Sequence, residues 1–416
     1  MKNMFKLKWL YPGLFIKRWI FLSVLGTIMV SMGFVIVIAD RNSESKAMAG
    51  IIIMTGIMSM VIAVKKIVKT FMSALMPYDN HPIMDKIYEK RILHKGPRIV
   101  VVGGGTGLSN LLTGIKQKTS NITAIVTVAD DGGSSGRLRE EFDVLPPGDI
   151  RNCLVALADS GDLLGALFQF RFKGGKELEG HNFGNLFITA LSKVTGDFAK
   201  AIQESSKVLA IRGNVFPSTM DKIKLVARRE NGEETIGESR IREKKDSPIA
   251  RMSLIPENCV ATVKAVEAIH SADMIILGPG SLYTSIIPNL LIKGIRDAII
   301  KSKAVKIYIC NVMTESGETD NYSISDHVKA IVQHTSAGII DYCVGNVTPI
   351  PKHLYKKYEI KSQYPVNIDA RDEKWFKQEK ISLIKARIAS VEEFVRHDPA
   401  YLAEITMEIL SEAVKK

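Results

Sequence analysis

At 416 residues, with 46% hydrophobic and 24% charged side chains, the chain has room for a membrane hairpin plus about 320 residues of folded core, one large α/β domain or two lobes sharing a sheet. A net charge of +12 raises the question of nucleic acid, yet no helix-turn-helix, zinc-finger or interleaved aromatic–basic pattern occurs, and much of the excess flanks apolar runs where anionic lipid headgroups account for it. The four cysteines (Cys153, Cys259, Cys310, Cys343) lack metal-site spacing and read as reduced residues of a cytosolic domain, which excludes a disulfide scaffold.

Two apolar runs come first. Phe21 to Ala39 holds nineteen uncharged residues and Ala47 to Val64 eighteen, each about long enough to cross a bilayer as a helix. Asp40, Arg41, Glu44 and Lys46 form a short polar turn between them. The outer flanks are basic, with Lys2, Lys6, Lys8, Lys17 and Arg18 before and Lys65, Lys66 and Lys69 after. The positive-inside rule then leaves both termini and the main domain in the cytoplasm, and localises the protein to the cell membrane. A cleaved signal peptide is countered by the second span and its basic stop-transfer flank; a buried soluble hairpin is the other rival. Residues 1–69 are expected as the anchor, with spans at about 21–39 and 47–64, and residues 70–97 as a juxtamembrane linker.

The cytosolic domain, residues 98–416, opens with Ile99-Val100-Val101-Val102, short and apolar enough for a fully buried parallel strand. Gly103-Gly104-Gly105-Thr106-Gly107 follows, and a helical pattern of Leu108, Leu111, Leu112 and Ile115 lies behind it. Backbone N–H groups of such a turn can approach a phosphate closely, helped by the helix N-terminus. The dinucleotide fingerprint is incomplete, because Asn110 stands where its third glycine belongs, and there is no P-loop Lys-Ser/Thr pair. A tight turn without ligand is the alternative. A second apolar run, Ile122 to Val128, ends in Asp130-Asp131-Gly132-Gly133-Ser134-Ser135-Gly136-Arg137. These residues suggest a mobile loop that holds a sugar, a metal-bound phosphate or both, with Asp130 and Asp131 as candidate Mg²⁺ ligands; a solvated turn is the bland reading.

Pro147-Gly148-Asp149-Ile150-Arg151-Asn152 precedes the apolar stretch Cys153 to Ala158. Asp149 suits a helix N-cap, whereas Arg151 and Asn152 suit a phosphate or a base. His181-Asn182-Phe183-Gly184-Asn185 opens the helical run Leu186 to Leu191. Residues 207–255 read as a β-rich insertion with a hairpin turn at Glu230 to Glu233, and Arg240 to Asp246 as a solvated charged loop. Met274 to Leu277 is another buried strand, followed by Gly278-Pro279-Gly280-Ser281. Ser281 lacks a nucleophile-elbow context, so Gly280 and the hydroxyls of Ser281, Thr284 and Ser285 are expected around a second phosphate, with Tyr283 stacking on a base or sugar. Val305 to Cys310 is a further strand, with Asn311 and Thr314 at its end. His397 reads as structural.

These strings are similar to those of the bacterial gluconeogenesis factor family. Gly-Gly-Gly-Thr-Gly-Leu, Ala-Asp-Asp-Gly-Gly-Ser-Ser-Gly-Arg-Leu-Arg and Pro-Pro-Gly-Asp-Ile-Arg-Asn carry the resemblance, with His181 to Leu186, Gly213 to Thr219, Gly278 to Ser285, Asn311 to Thr314 and Arg396 to Asp398 in the same order. The resemblance covers roughly Arg98 onward. It implies a Rossmann-like, doubly wound, mainly parallel sheet, in fold related to the 2-phospho-L-lactate transferases. It also moves Asn182 and Asn185 towards ligand contact. As to function, it implies a regulatory protein that binds a nucleotide sugar of the UDP-N-acetylglucosamine type and links carbon metabolism to cell-wall synthesis and cell shape. The alternative it implies is a Mg²⁺-dependent transferase moving a phospholactate-like group from a nucleotide diphosphate donor to an acceptor hydroxyl, with Asp130 and Asp131 at the catalytic centre. No nucleic-acid partner is expected; a homodimer and contacts with cell-wall synthesis proteins are.

Overall fold

The computed structural model of the chain describes residues 16–39, 42–75, 92–159 and 162–415. Its contacts divide into two units, residues 1–86 and 87–416.

In the first unit, helices Ile16–Ala39 and Ser43–Leu75 pack side by side. Their facing positions are small and recur every seven residues: Gly26 and Gly33 on one helix, Ala49, Gly56 and Ala63 on the other, all buried. A Cβ at Gly26 would stand 2.7 Å from the Gly56 carbonyl oxygen, and one at Gly56 2.7 Å from that of Gly26. Close backbone approach of this kind drives helix association where lipid tails remove the hydrophobic drive. Thr27, Thr55 and Ser59 donate their hydroxyls to carbonyls one turn back, so these polar groups need no water. Large apolar side chains face outward, among them Phe21 (69% exposed), Val35 (63%) and Ile38 (82%). Lys17–Ala39 and Ser43–Thr70 are long and apolar enough to cross a membrane. Both overrun the expected spans because the helices continue through the basic flanks, where the Lys66 ammonium stands 5.5 Å from the Trp19 ring centre. Lys2, Lys6, Lys8, Asp40, Arg41 and most of the expected linker lie outside the described residues.

The second unit contains β1 (Ile99–Gly103), β2 (Ile122–Val126), β3 (Asn214–Pro217), β4 (Lys224–Arg229), β5 (Glu234–Ile236), β6 (Ile249–Ile255), β7 (Met274–Leu277), β8 (Val305–Ile309), β9 (Tyr342–Asn346), β10 (Ser382–Ala386), β11 (Ala389–Val391) and β12 (Val395–His397). Seven of them form one sheet in the order β10-β9-β8-β7-β1-β2-β3, and every pairing in it is parallel. Helices cover both faces of such a sheet, so β1 and β7 are buried along their whole lengths, which is why they read as unbroken apolar runs. The expected Rossmann-like architecture is therefore present.

The chain first winds from β1 outward to β3, then returns to β7 on the other side of β1 and winds outward again. Strand order reverses between β1 and β7, the point at which open α/β sheets leave a crevice at their carboxyl ends. Ile99 pairs with both Ile122 and Met274, and an Arg98–Asp273 ion pair of 2.7 Å closes the amino ends. A separate antiparallel sheet, β5-β4-β6, together with helix Glu238–Glu243, forms a flap. The inserted segment is thus shorter than the expected 207–255. Asn214 to Pro217 pairs in parallel with β2 and completes the main sheet, and residues up to Val208 are helical.

Candidate functional site

Four segments converge on the switch point. The first is the glycine turn after β1. A Cβ on Gly107 would lie 2.7 Å from the Pro279 carbonyl oxygen, so the β1 and β7 turns touch backbone to backbone and only glycine fits. A Cβ on Gly104 would lie 2.6 Å from the Asp149 carboxylate. That carboxylate accepts the Gly105 N–H. The anion nearest the glycine turn is therefore the protein's own. Burial, and then the neighbouring Asp130 charge, push the Asp149 carboxyl up to about 6. Asp149 lies inside the first turn of helix Gly148–Leu157 and serves a neighbouring helix, not its own N-terminus.

The second segment follows β2. Residues 133–142 are a helix, Gly133–Phe142, whereas a mobile loop was expected over Asp130 to Arg137. It forms because Ser134 and Ser135 are buried and bonded: the Ser134 hydroxyl takes the Asn182 N–H (3.2 Å) and the Asn185 amide (3.3 Å), and lies 3.1 Å from His181 Nδ1. Asn182 caps helix Phe183–Thr195 by accepting the Asn185 N–H. Arg151, 7% exposed, donates to Asn185 and to Asn152; burial pulls it down to about 10. Ser134, Ser135, Arg151, Asn152, Asn182 and Asn185 thus form one polar wall of the site. It touches the crevice at Gly148, where a Cβ would meet both Ser135 Oγ and Asp130 Oδ2. Arg137 is exposed and donates to the Glu179 carbonyl at 2.8 Å, on the loop that leads into His181 and Asn182.

The flap is the third segment; its β-rich character was expected, but its contacts with the crevice were not. Asp131 Oδ1 accepts both the backbone N–H (2.8 Å) and the hydroxyl (2.7 Å) of Ser239. The acidic motif therefore docks the flap helix. Asp130 Oδ1 accepts the Gly132 N–H at 3.0 Å. Arg242, expected in a solvated loop, reaches back to donate to Ser281 (3.2 Å) and Thr284 (3.0 Å). It also pairs with Glu238 at 2.9 Å and Glu318 at 3.4 Å. Desolvation and the charges of Asp130, Asp149 and Glu318 hold the Glu238 carboxyl well above the usual carboxylate range, against the pull of Arg242.

The fourth segment comprises the turns after β7 and β8. Asn311 Oδ1 accepts the Gly280 N–H at 3.2 Å, and Ser281 donates to Glu315 at 2.5 Å. Thr284 donates to Glu318 at 3.2 Å. Glu318 is 3% exposed, its Oε2 has no partner, and burial followed by the Glu315 charge pushes it up to about 8. Burial also raises Glu315. Tyr283 is not placed to stack on a ligand. It is 2% exposed, and its hydroxyl meets Tyr322 at 2.7 Å in the core. Thr314 is buried and pinned to the Tyr364 backbone. His397 is buried with Nε2 at 3.1 Å from the Cys310 carbonyl, a structural role.

Gly104, Gly105, Thr106, Gly107, Asp130, Asp131, Asp149, Gly280, Ser281, Thr284 and Asn311 are thereby brought to one crevice. Glu238, Ser239, Arg242, Glu315 and Glu318 join them. Their only sequence signal was Gly237-Glu238-Ser239 opening a short helix, and acids spaced three apart after β8. Among these hydroxyls, amides and carboxylates Arg242 brings a guanidinium, a group that can pair with either a carboxylate or a phosphate. Among the described residues no three His, Cys, Asp or Glu side chains gather as a metal centre. A Mg²⁺ ion on Asp130 and Asp131 would need ligand oxygens to complete its shell.

Comparison with known proteins settles the family. The family model described as 2-phospho-L-lactate transferase CofD matches residues 99–389. The gluconeogenesis factor of Bacillus subtilis is 47% identical over 317 residues, 76% of this chain and 99% of its own. The chain belongs to the gluconeogenesis factor family. A relative from Clostridium acetobutylicum is 42% identical over 415 residues, covering 97% of this chain and 91% of its own, so that similarity reaches into the N-terminal helices. A crystal structure of a Bacillus halodurans protein superposes with a TM-score of 0.73 at 46% identity, over 75% of this chain and all of its own.

Proposed function

We propose that this family member is a membrane-anchored regulatory protein that binds a nucleotide sugar of the UDP-N-acetylglucosamine type in the β1/β7 crevice. It would thereby couple carbon metabolism to cell-wall synthesis and cell shape. The observation that carries the reading is Arg242 on the flap, donating to Ser281 and Thr284 at the switch point. A diphosphate laid there meets a guanidinium and two hydroxyls, and closes the flap over itself. Asp131 already holds Ser239, which favours positioning over turnover. The hairpin anchors the domain, with both termini on the cytoplasmic side as the basic flanks suggest.

A second reading rests on the family-model match to a 2-phospho-L-lactate transferase over residues 99–389. In it, Asp130 and Asp131 hold a Mg²⁺ ion that neutralises charge on a transferring phosphoryl group. One experiment separates the two. The detergent-solubilised full chain is titrated with UDP-N-acetylglucosamine with and without Mg²⁺, and the ligand is recovered and analysed. Saturable binding with intact ligand supports the regulator. Metal-dependent breakdown of a nucleotide diphosphate donor supports the transferase, and absence of binding rejects the first reading.

A further inference from the structure

A second cavity, of ≈ 390 Å³, opens beside the crevice and is lined by Thr314, Asn321, Tyr322, Tyr355, Tyr364, Pro365 and Asn367. None of the expected ligand residues except Thr314 belongs to it. Its walls are aromatic and held in place. The Tyr322 hydroxyl is fixed to Tyr283, and its ring stands edge-on to His327 with centres 5.5 Å apart. The Tyr364 backbone is clamped on both sides by Thr314, which donates its own N–H to the Tyr364 carbonyl at 2.7 Å and takes the Tyr364 N–H on its hydroxyl at 2.9 Å. Tyr355 faces Tyr364 with ring centres 6.3 Å apart. Tyr355 and Tyr364 are each 37% exposed. Tyrosines left partly bare around a cavity, with the amides of Asn321 and Asn367 on the rim, match a planar ring whose edge carries both donors and acceptors.

The place of the cavity in the fold sets its role. Thr314 lies three residues beyond Asn311, which holds the Gly280 N–H of the crevice. The helix Lys352–Glu359 that carries Tyr355 also exposes Lys352 and Lys356, a positive margin that favours a phosphate-bearing ligand. From this juxtaposition we infer that the tyrosine cavity is a nucleoside subsite, which takes the base and ribose of a nucleotide whose phosphates meet Arg242, Ser281 and Thr284. The inference rests on the proposed nucleotide-sugar reading and adds the residues that recognise its nucleoside end.

The test uses the detergent-solubilised full chain and UDP-N-acetylglucosamine as the titrant. Tyr364→Ala should weaken binding roughly ten-fold, the scale of losing one stacked ring, without moving the unfolding midpoint of the free protein, since the side chain is exposed. Tyr364→Phe keeps the ring and should bind like the wild type. Binding by Tyr364→Ala equal to wild type overturns the inference and leaves the crevice reading standing; so does Tyr364→Phe as weak as Tyr364→Ala. If the wild type does not bind the nucleotide sugar, the proposed function fails, and uridine, cytidine, adenosine and guanosine become the probes. Saturable binding of one that is lost in Tyr364→Ala would then support the cavity, and binding of none would overturn it too.

Discussion

Glu318→Gln should flatten the fall in stability that the wild-type domain shows as pH rises. Glu318 is 3% exposed. One oxygen takes the Thr284 hydroxyl and the other has no partner. Burial and the nearby Glu315 place its carboxyl at about 8, against about 4.3 for a free glutamate. Over that window the folded state keeps a proton that the unfolded state releases. Stability is therefore undiminished below the unfolded value, falls as pH rises towards 8, and levels above it. The slope is at most about 1.4 kcal/mol per pH unit for one proton, so the ceiling is about 5 kcal/mol across the window. The pull of Arg242 is already contained in that value. Glutamine preserves the shape and an acceptor for Thr284 but does not titrate. Ligand-free thermal unfolding of the two proteins from pH 5 to pH 8 reads the difference: the variant should gain on the wild type with each unit. Parallel profiles would refute the reasoning, because they would mean that Glu318 carries the same charge folded and unfolded.

Three further outcomes follow from the same geometry. Arg242→Ala should weaken phosphate-bearing ligands by about ten-fold or more, the scale of losing a charge-assisted hydrogen bond, and titration calorimetry reads the change; unchanged affinity would remove Arg242 from the site. Gly107→Ala places a methyl against the Pro279 carbonyl and should cost about 1–3 kcal/mol of stability as overpacking does, visible as a lowered unfolding midpoint. A midpoint like the wild type's would show that the β1 and β7 turns have slack. In the anchor, Gly56→Leu cannot keep its 2.7 Å approach to Gly26. A disulfide introduced across the pair through Gly33→Cys and Ile53→Cys should form readily in membranes while Gly56 is present and poorly once Gly56→Leu is added, and equal yields would argue that the helices do not cross there.

The parts of the fold legible in the sequence were those whose environment is uniform. β1 and β7 are covered on both faces, so four apolar residues in a row announce them. β9 and β10 lie towards the sheet margin, carry Asn346, Ser382 and Lys385, and went unremarked. Asp130 to Arg137 reads as a loop because glycine and serine have poor helix propensity; the tertiary bonds of Ser134 override that preference from Gly133 onward. The site divided along the same line. Turns directly after buried strands lie at the carboxyl edge of the parallel sheet, since strand direction decides where they end. Arg242 was not legible, because nothing local to Arg240–Asp246 shows that the flap folds back across the sheet. Tyr283 failed for the opposite reason: its motif neighbours face the crevice, while the turn between them points this one ring inward.

The winding of the sheet has a consequence for how the protein is made. The central strand β1 leaves the ribosome long before β7, its partner some 175 residues later in the chain, as the span from Arg98 to Asp273 measures. Until that partner arrives, one edge of β1 is unpaired and the crevice has only half its walls. The two N-terminal helices, by contrast, pair with each other and precede β1 in the chain. The sheet's longest-range pairing therefore forms late and slowly. A ligand that bridges the β1 and β7 turns would favour only the finished sheet, so its cellular concentration would also influence how much of the newly made protein survives.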